Sequence, residues 1–131
     1  MIFRFLCAYI VGLMCSSVFA AGANDLQRGR IAFLRCAACH VIQADEPGQV
    51  VGKVGPNLHG ILGKAAAQVP GFTYSQSLRK AGLTWDDATL KRWIQDPASL
   101  VPGTAMTYVN TLSETEIQTL LVFLKSQSLM R

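Results

Sequence analysis

Cys36–Ala37–Ala38–Cys39–His40 is the stretch on which the reading of this 131-residue chain turns. Two thiols stand three positions apart and an imidazole follows at once. A disulfide between them would close a very small loop and stabilise little. Three other chemistries use the spacing: a redox dithiol, half of a zinc site, and covalent attachment of a c-type haem. On one helical turn both thiols can reach the two vinyl groups of a single porphyrin, and the adjacent histidine then presents a ring nitrogen to the iron. The run C-x-x-C-H is the attachment pattern for that group.

The remaining cysteines bear on the choice. Met1–Arg4 is a short positive start, Phe5 to Phe19 is apolar, and Val18–Phe19–Ala20 offers small residues where a signal peptidase cuts. Residues 1–20 therefore read as a cleaved export leader, with residues 24–127 as the functional domain. The apolar run is about 16 residues, short of the ~20 that span a bilayer, which disfavours an uncleaved anchor. Leu13 and Met14 are too bulky for a lipoprotein site at Cys15. Cleavage removes Cys7 and Cys15 and leaves Cys36 and Cys39. Zinc would then need further Cys or His, and only His59 remains. A thioredoxin-like motif needs a βαβ setting that the chain does not offer.

Half of the residues are apolar and 15% are charged, the balance of a single globular domain. The net charge of +4 comes without a Lys/Arg run or a basic patch interleaved with aromatics, so nucleic acid is excluded. A mildly basic surface favours acidic protein partners instead. Asn24–Gln27 resembles a capping box that opens a helix toward Cys36, with Leu26, Ile31, Phe33 and Leu34 as its apolar residues. Thr84–Asp87 opens a second helix carrying Leu90, Trp93 and Ile94, stopped at Asp96–Pro97. Ser113–Glu116 caps a third, with Ile117, Leu120, Leu121 and Leu124 on one stripe. Ser75–Lys80 forms a short fourth. The stretches 47–63, 70–71 and 97–103 are Gly- and Pro-rich, and no alternating strand run occurs. Three or four short helices make a thin core, which a buried haem would complete.

A histidine-ligated haem leaves a sixth position to explain. Left empty it would bind a gas or cleave peroxide; filled by methionine it would shuttle electrons. Past the leader the methionines are Met130, at the C-terminus, and Met106, in Pro102–Gly103–Thr104–Ala105–Met106.

From about Asp25 to Lys125 the chain resembles class I cytochrome c of the mitochondrial and bacterial type. The resemblance lies in Cys36–His40, Gly55–Pro56–Asn57–Leu58–His59–Gly60, Pro70–Gly71–Phe72–Thr73–Tyr74, Gly82–Leu83–Thr84–Trp85 and Val101–Met106, in the family's order. It implies an all-α cytochrome c fold of three to four short helices and loops around one haem c, covalent through Cys36 and Cys39. It implies His40 and Met106 as axial iron ligands and the Pro56 carbonyl as acceptor for the other ring N–H of His40. It implies Tyr74, Trp85 and Thr104 as donors to the haem propionates, and a structural role for His59. Gly29 would let the first and last helices cross closely, facing Leu120 and Phe123. The implied function is a soluble, monomeric periplasmic electron carrier, not an enzyme. It would run between a quinol-oxidising complex or periplasmic dehydrogenase and an oxidase or reductase, with membrane contact only through those partners.

Several positions depart from the family pattern. Gly29 lies one residue nearer the first cysteine than usual, and Ala32 stands where an aromatic is common, beside Phe33. Lys64 stands where a propionate-facing arginine is frequent, and lysine is no equivalent planar donor. Trp93 replaces a tyrosine near the methionine sulfur, and Ala105 replaces a docking lysine. Lys53, Arg79, Lys80, Lys91 and Arg92 remain as candidate rim charges. The segment Gln43–Lys53 is longer than the mitochondrial version.

Overall fold

The computed structural model describes residues 8–44 and 53–129, with side chains from residue 22 onward. The strongest helix signal forms as written. Ser113 Oγ accepts from the Glu116 N–H at 3.3 Å, and the Glu116 carboxylate accepts from the Ser113 N–H at 2.8 Å. This reciprocal cap opens α5, Glu114–Leu129, whose buried face is Ile117, Thr119, Leu120, Leu121, Phe123 and Leu124.

Three shorter helices precede it. Helix α2, Gln76–Lys80, is capped by Ser75 and buries Leu78. Helix α3, Asp87–Gln95, is capped by Asp86 and buries Leu90, Trp93 and Ile94. Proline stops α3 as predicted, but no loop follows. The Asp96 carboxylate accepts from the Ser99 N–H at 3.0 Å, and Pro97 takes the first position of a one-turn helix, α4, Pro97–Leu100. Proline suits that place because its missing N–H would have no helical partner there.

Helix α1, Ala8–Ala37, is much longer than expected. It runs through Asn24–Gln27 without a start, because a capping box starts a helix only where the chain before it departs from helical geometry, and the alanines before it favour helix. The expected leader lies partly outside the described residues, at 1–7. Among the described residues no helix is long and apolar enough to cross a membrane.

Helices α1 and α5 form the main helix pair. Gly29, Ala32 and Phe33 face inward. The Phe33 and Phe123 rings meet across the crossing, centroids 5.5 Å apart and tilted by 53°. Phe33 thus supplies the aromatic absent at Ala32. Leu26, Ile31 and Leu34, grouped with it in the sequence, point outward, the last two being 57% and 66% exposed. Once Gly29 sits at the crossing, the inward face is 29, 32, 33 and 36, and helical geometry turns 31 and 34 away.

The fold is all-α: among the described residues no strand forms, only an isolated antiparallel bridge between Ala65 and Thr84. The Ala66 N–H bonds Leu83 O at 2.8 Å and the Trp85 N–H bonds Lys64 O at 2.9 Å, which holds the buried Trp85 against the core. The segment 45–52, inside the lengthened Gln43–Lys53 stretch, lies outside the described residues.

Candidate functional site: a rail against the C-x-x-C-H turn

Helix α1 ends inside the motif. The N–H groups of Cys39 and His40 both return to the Cys36 carbonyl, at 3.0 and 2.9 Å, so the two thiols and the imidazole share one tight turn. Both cysteines are free, Cys36 half-buried and Cys39 exposed. Beside this turn the segment 53–58 runs as a rail. Lys53 Nζ donates to Ala37 O at 2.5 Å, the Gly55 N–H to Cys39 O at 2.9 Å, and the Leu58 N–H to Val41 O at 2.9 Å. His40 Nδ1 donates to Pro56 O at 2.7 Å.

That last bond decides the chemistry of His40. A carbonyl only accepts, so Nδ1 carries the proton and the Nε2 lone pair remains available. Burial holds the imidazole below its ordinary pKa; the Pro56 bond works against this, and the positive charge of Lys53 reinforces it. The ring is neutral at neutral pH, the state an iron ligand needs. Gly55 makes the approach possible: a Cβ there would stand 2.3 Å from the imidazole Cε1.

The second half of the site is a loop. The Thr104 N–H bonds Val101 O at 3.1 Å, Pro102 and Gly103 fill the corner, and Gly103 has φ +82. This is a type II turn, which requires positive φ at its third residue. It leads into Met106, half-buried against the core, whose N–H donates to Thr104 Oγ1 at 3.3 Å. Thr104 therefore shapes the methionine loop and keeps its own hydroxyl hydrogen for an outside acceptor.

Trp85 is 5% exposed and stacks on Trp93 with centroids 5.3 Å apart, tilted by 55°. Every sealed side-chain N or O among the described residues has a partner. The Trp85 indole N–H has none among those residues, so it opens onto space outside the chain and invites an acceptor. Tyr74, half-buried, packs edge-on against Phe72 at 4.7 Å. Burial raises its phenol pKa, partly offset by the Val69 backbone. Partly buried apolar side chains from four loops and turns, including Ile42, Leu58, Leu62, Leu83, Met106 and Tyr108, lie against the core with one side uncovered. A neutral imidazole, two free thiols on one turn, a thioether loop, unpaired donors and this apolar lining fit a porphyrin.

The competing readings of the motif do not fit. Among the described residues no three His, Cys, Asp or Glu side chains are placed to hold a metal ion, so a zinc site finds no ligand set there. Burial, and then Cys39, push the Cys36 thiol up to about 11. A depressed thiol pKa favours a redox dithiol, and the shift at Cys36 runs the other way.

Several contributors escaped sequence reasoning. Gly55 and Asn57 stood in the quoted motif without roles. Asn57, 6% exposed, donates to Gln43 O at 2.7 Å and accepts from the N–H groups of Gln43 and His59 at 3.2 and 3.0 Å, tying the turn after His40 to the rail. This is the structural setting of His59. Among the rim charges, Lys53 is engaged with Ala37, Arg79 donates to Tyr74 O at 2.7 Å, and Lys91 pairs with Glu114. Lys80 and Arg92 are exposed and have no partner among the described residues.

Fold and site together define an all-α protein folded around a haem carried on a C-x-x-C-H turn. No protein-family model matches the chain. Individual proteins do. Cytochrome c2 of Rhodoblastus acidophilus is 45% identical over 94 residues, 72% of this chain and 84% of that one. A cytochrome c2 of Rhodoplanes tepidamans is 41% identical over 101 residues, 77% of this chain and 91% of the other. The solved structure of cytochrome cH from Methylobacterium extorquens superposes with a TM-score of 0.68 at 36% identity, covering 78% of this chain and 98% of that one. The chain belongs to the class I cytochromes c. It is an electron-transfer protein rather than an enzyme, with one covalently bound haem c.

Proposed function

We infer that the chain is a soluble, monomeric periplasmic electron carrier with His40 and Met106 as axial ligands and thioether bonds at Cys36 and Cys39. The observation that carries this reading is the 2.7 Å bond from His40 Nδ1 to Pro56 O, which leaves Nε2 as a neutral, oriented donor. The haem supplies a one-electron Fe(III)/Fe(II) couple and forms no bond to substrate. Met106 offers a soft neutral thioether that favours the ferrous state. Tyr74, Trp85 and Thr104 would hold the haem through its propionates, which would keep those charges from being buried unpaired.

The leader, residues 1–20, is removed on export, and residues 24–127 form the working domain. The exposed Lys80 and Arg92 contribute to a basic rim that steers acidic partners: a quinol-oxidising complex or dehydrogenase on one side, an oxidase or reductase on the other. The test is the sulfur-to-iron charge-transfer band of the oxidised protein. It is present in the unmodified protein and lost in Met106→Ala, with haem still attached. A band unchanged by the substitution eliminates Met106 as ligand. N-terminal sequencing of exported protein checks the leader, and an intact Met1–Ala20 would refute its removal.

A further inference from the structure

The rail contains one contact that a docking charge has no need to make. Lys53 is only partly exposed, and its ammonium lies 2.5 Å from the carbonyl of Ala37, the last residue of α1. A helix end leaves its final carbonyls without partners and carries partial negative charge. Here the Cys36 carbonyl is answered by the N–H groups of Cys39 and His40, and the Cys39 carbonyl by that of Gly55. The Ala37 carbonyl, between the two thiols, is answered by Lys53 alone among the described residues. Of these three carbonyls the lysine answers the one that no N–H reaches, and it does so with a full charge.

We propose that Lys53 is a positioning residue that locks the C-x-x-C-H turn from the His40 side and raises the reduction potential of the carrier, rather than a docking charge on its rim. The proposal rests on the His40-ligated haem inferred above. A cation held at the end of α1 disfavours the more positive ferric state. Its contribution is larger than that of a freely solvated lysine, because part of its water shell is replaced by protein and salt screens it less. Lys80, exposed and unpaired, is the matched control: the same charge without the contact.

The experiment uses the holoprotein and two readouts. In the first, native protein is treated with a water-soluble acetylating reagent and modification is followed by mass spectrometry. Lys53 is expected to react several-fold more slowly than Lys80, and at the same rate after denaturation. Equal native rates overturn the proposal, and this readout needs no variant to mature. In the second, midpoint potentials are measured for Lys53→Gln, Lys53→Arg and Lys80→Gln. Lys53→Gln is expected to shift the ferrous/ferric ratio at fixed reference potential roughly three- to tenfold toward ferric, about 28–59 mV for one electron. Lys53→Arg retains most of the potential, and Lys80→Gln moves it little. Lys53→Gln matching either the unmodified protein or Lys80→Gln overturns the proposal. The charge-transfer band of the unmodified protein is recorded alongside: its absence would defeat the axial assignment of Met106 and leave the Lys53 comparison intact.

Discussion

A Cβ on Gly29 would lie 2.0 Å from the carbonyl oxygen of Thr119 and 2.7 Å from Cβ of Phe123. The first clash is with backbone, which no side-chain rotation relieves. Helix α1 therefore approaches α5 as closely as it does only because position 29 has no side chain. The expected close approach forms at Phe123, but the nearest backbone is that of Thr119 where Leu120 was expected.

Gly29→Ala should accordingly be destabilising although alanine is the better helix former. The propensity gain is about 1 kcal/mol and a typical overpacking cost is about 1–3 kcal/mol. With backbone as the obstacle the cost falls at the upper end of that range, and the net loss is expected at ~2 kcal/mol. Denaturant midpoints of the holoprotein measure it; a stabilised variant would show that the helices separate without cost.

Gly55→Ala tests the histidine cradle. Its methyl would meet the His40 ring at 2.3–2.8 Å, so ring and rail cannot keep their present spacing. Less haem is expected to be attached, and the absorption and NMR signatures of the proximal ligand should change in what does mature. Unaltered spectra at full haem content would mean that the rail does not orient His40.

Asn57→Ala removes one side chain and strips three backbone groups of their partner, at Gln43 and His59. Each buried polar group left unmade costs about 1–3 kcal/mol, and water reaches some of them. A total of ~2–4 kcal/mol is expected. Asn57→Asp keeps the acceptor but loses the donor to Gln43 O, so it should fall between Ala and the unmodified chain in thermal melts.

Acid sensitivity should follow from two helix caps. The Asp86 carboxyl is held below its ordinary pKa by the Thr89 N–H, and the Glu116 carboxyl below its own by the Ser113 N–H. Folding thus favours their ionised forms. Their stabilisation is complete above the unfolded pKa values, about 4, and is lost as pH falls through the lower folded values. Asp86→Asn keeps a capping acceptor that does not titrate. Between pH 6 and 3 its melting temperature should fall less steeply than that of the unmodified chain; parallel curves would contradict the assignment.

How far the sequence reached depended on the range of the interaction. Caps are local: Ser113 and Glu116 are three residues apart, and that helix start is legible as written. The stretch Thr84–Asp87 places the second start only to within two residues, the cap being Asp86, which accepts from the Thr89 N–H. Asp96–Pro97 shows the limit within that range, since the same dipeptide ends α3 and begins α4. The inner face of α1 is not legible from its apolar residues, because Ile31 and Leu34 are hydrophobic wherever they point, and only the partner helix determines which side is inner.

The C-x-x-C-H turn, the type II corner before Met106 and the cap of α5 are properties of consecutive residues, and the sequence alone determined them together with the family. Tertiary structure decided the tautomer of His40 through Pro56, the need for glycine at positions 29 and 55, the stitching role of Asn57, and the turning of Lys53 onto Ala37. Those contacts join residues that local geometry leaves independent. Their energies depend on distances of tenths of an ångström that only the packed chain defines.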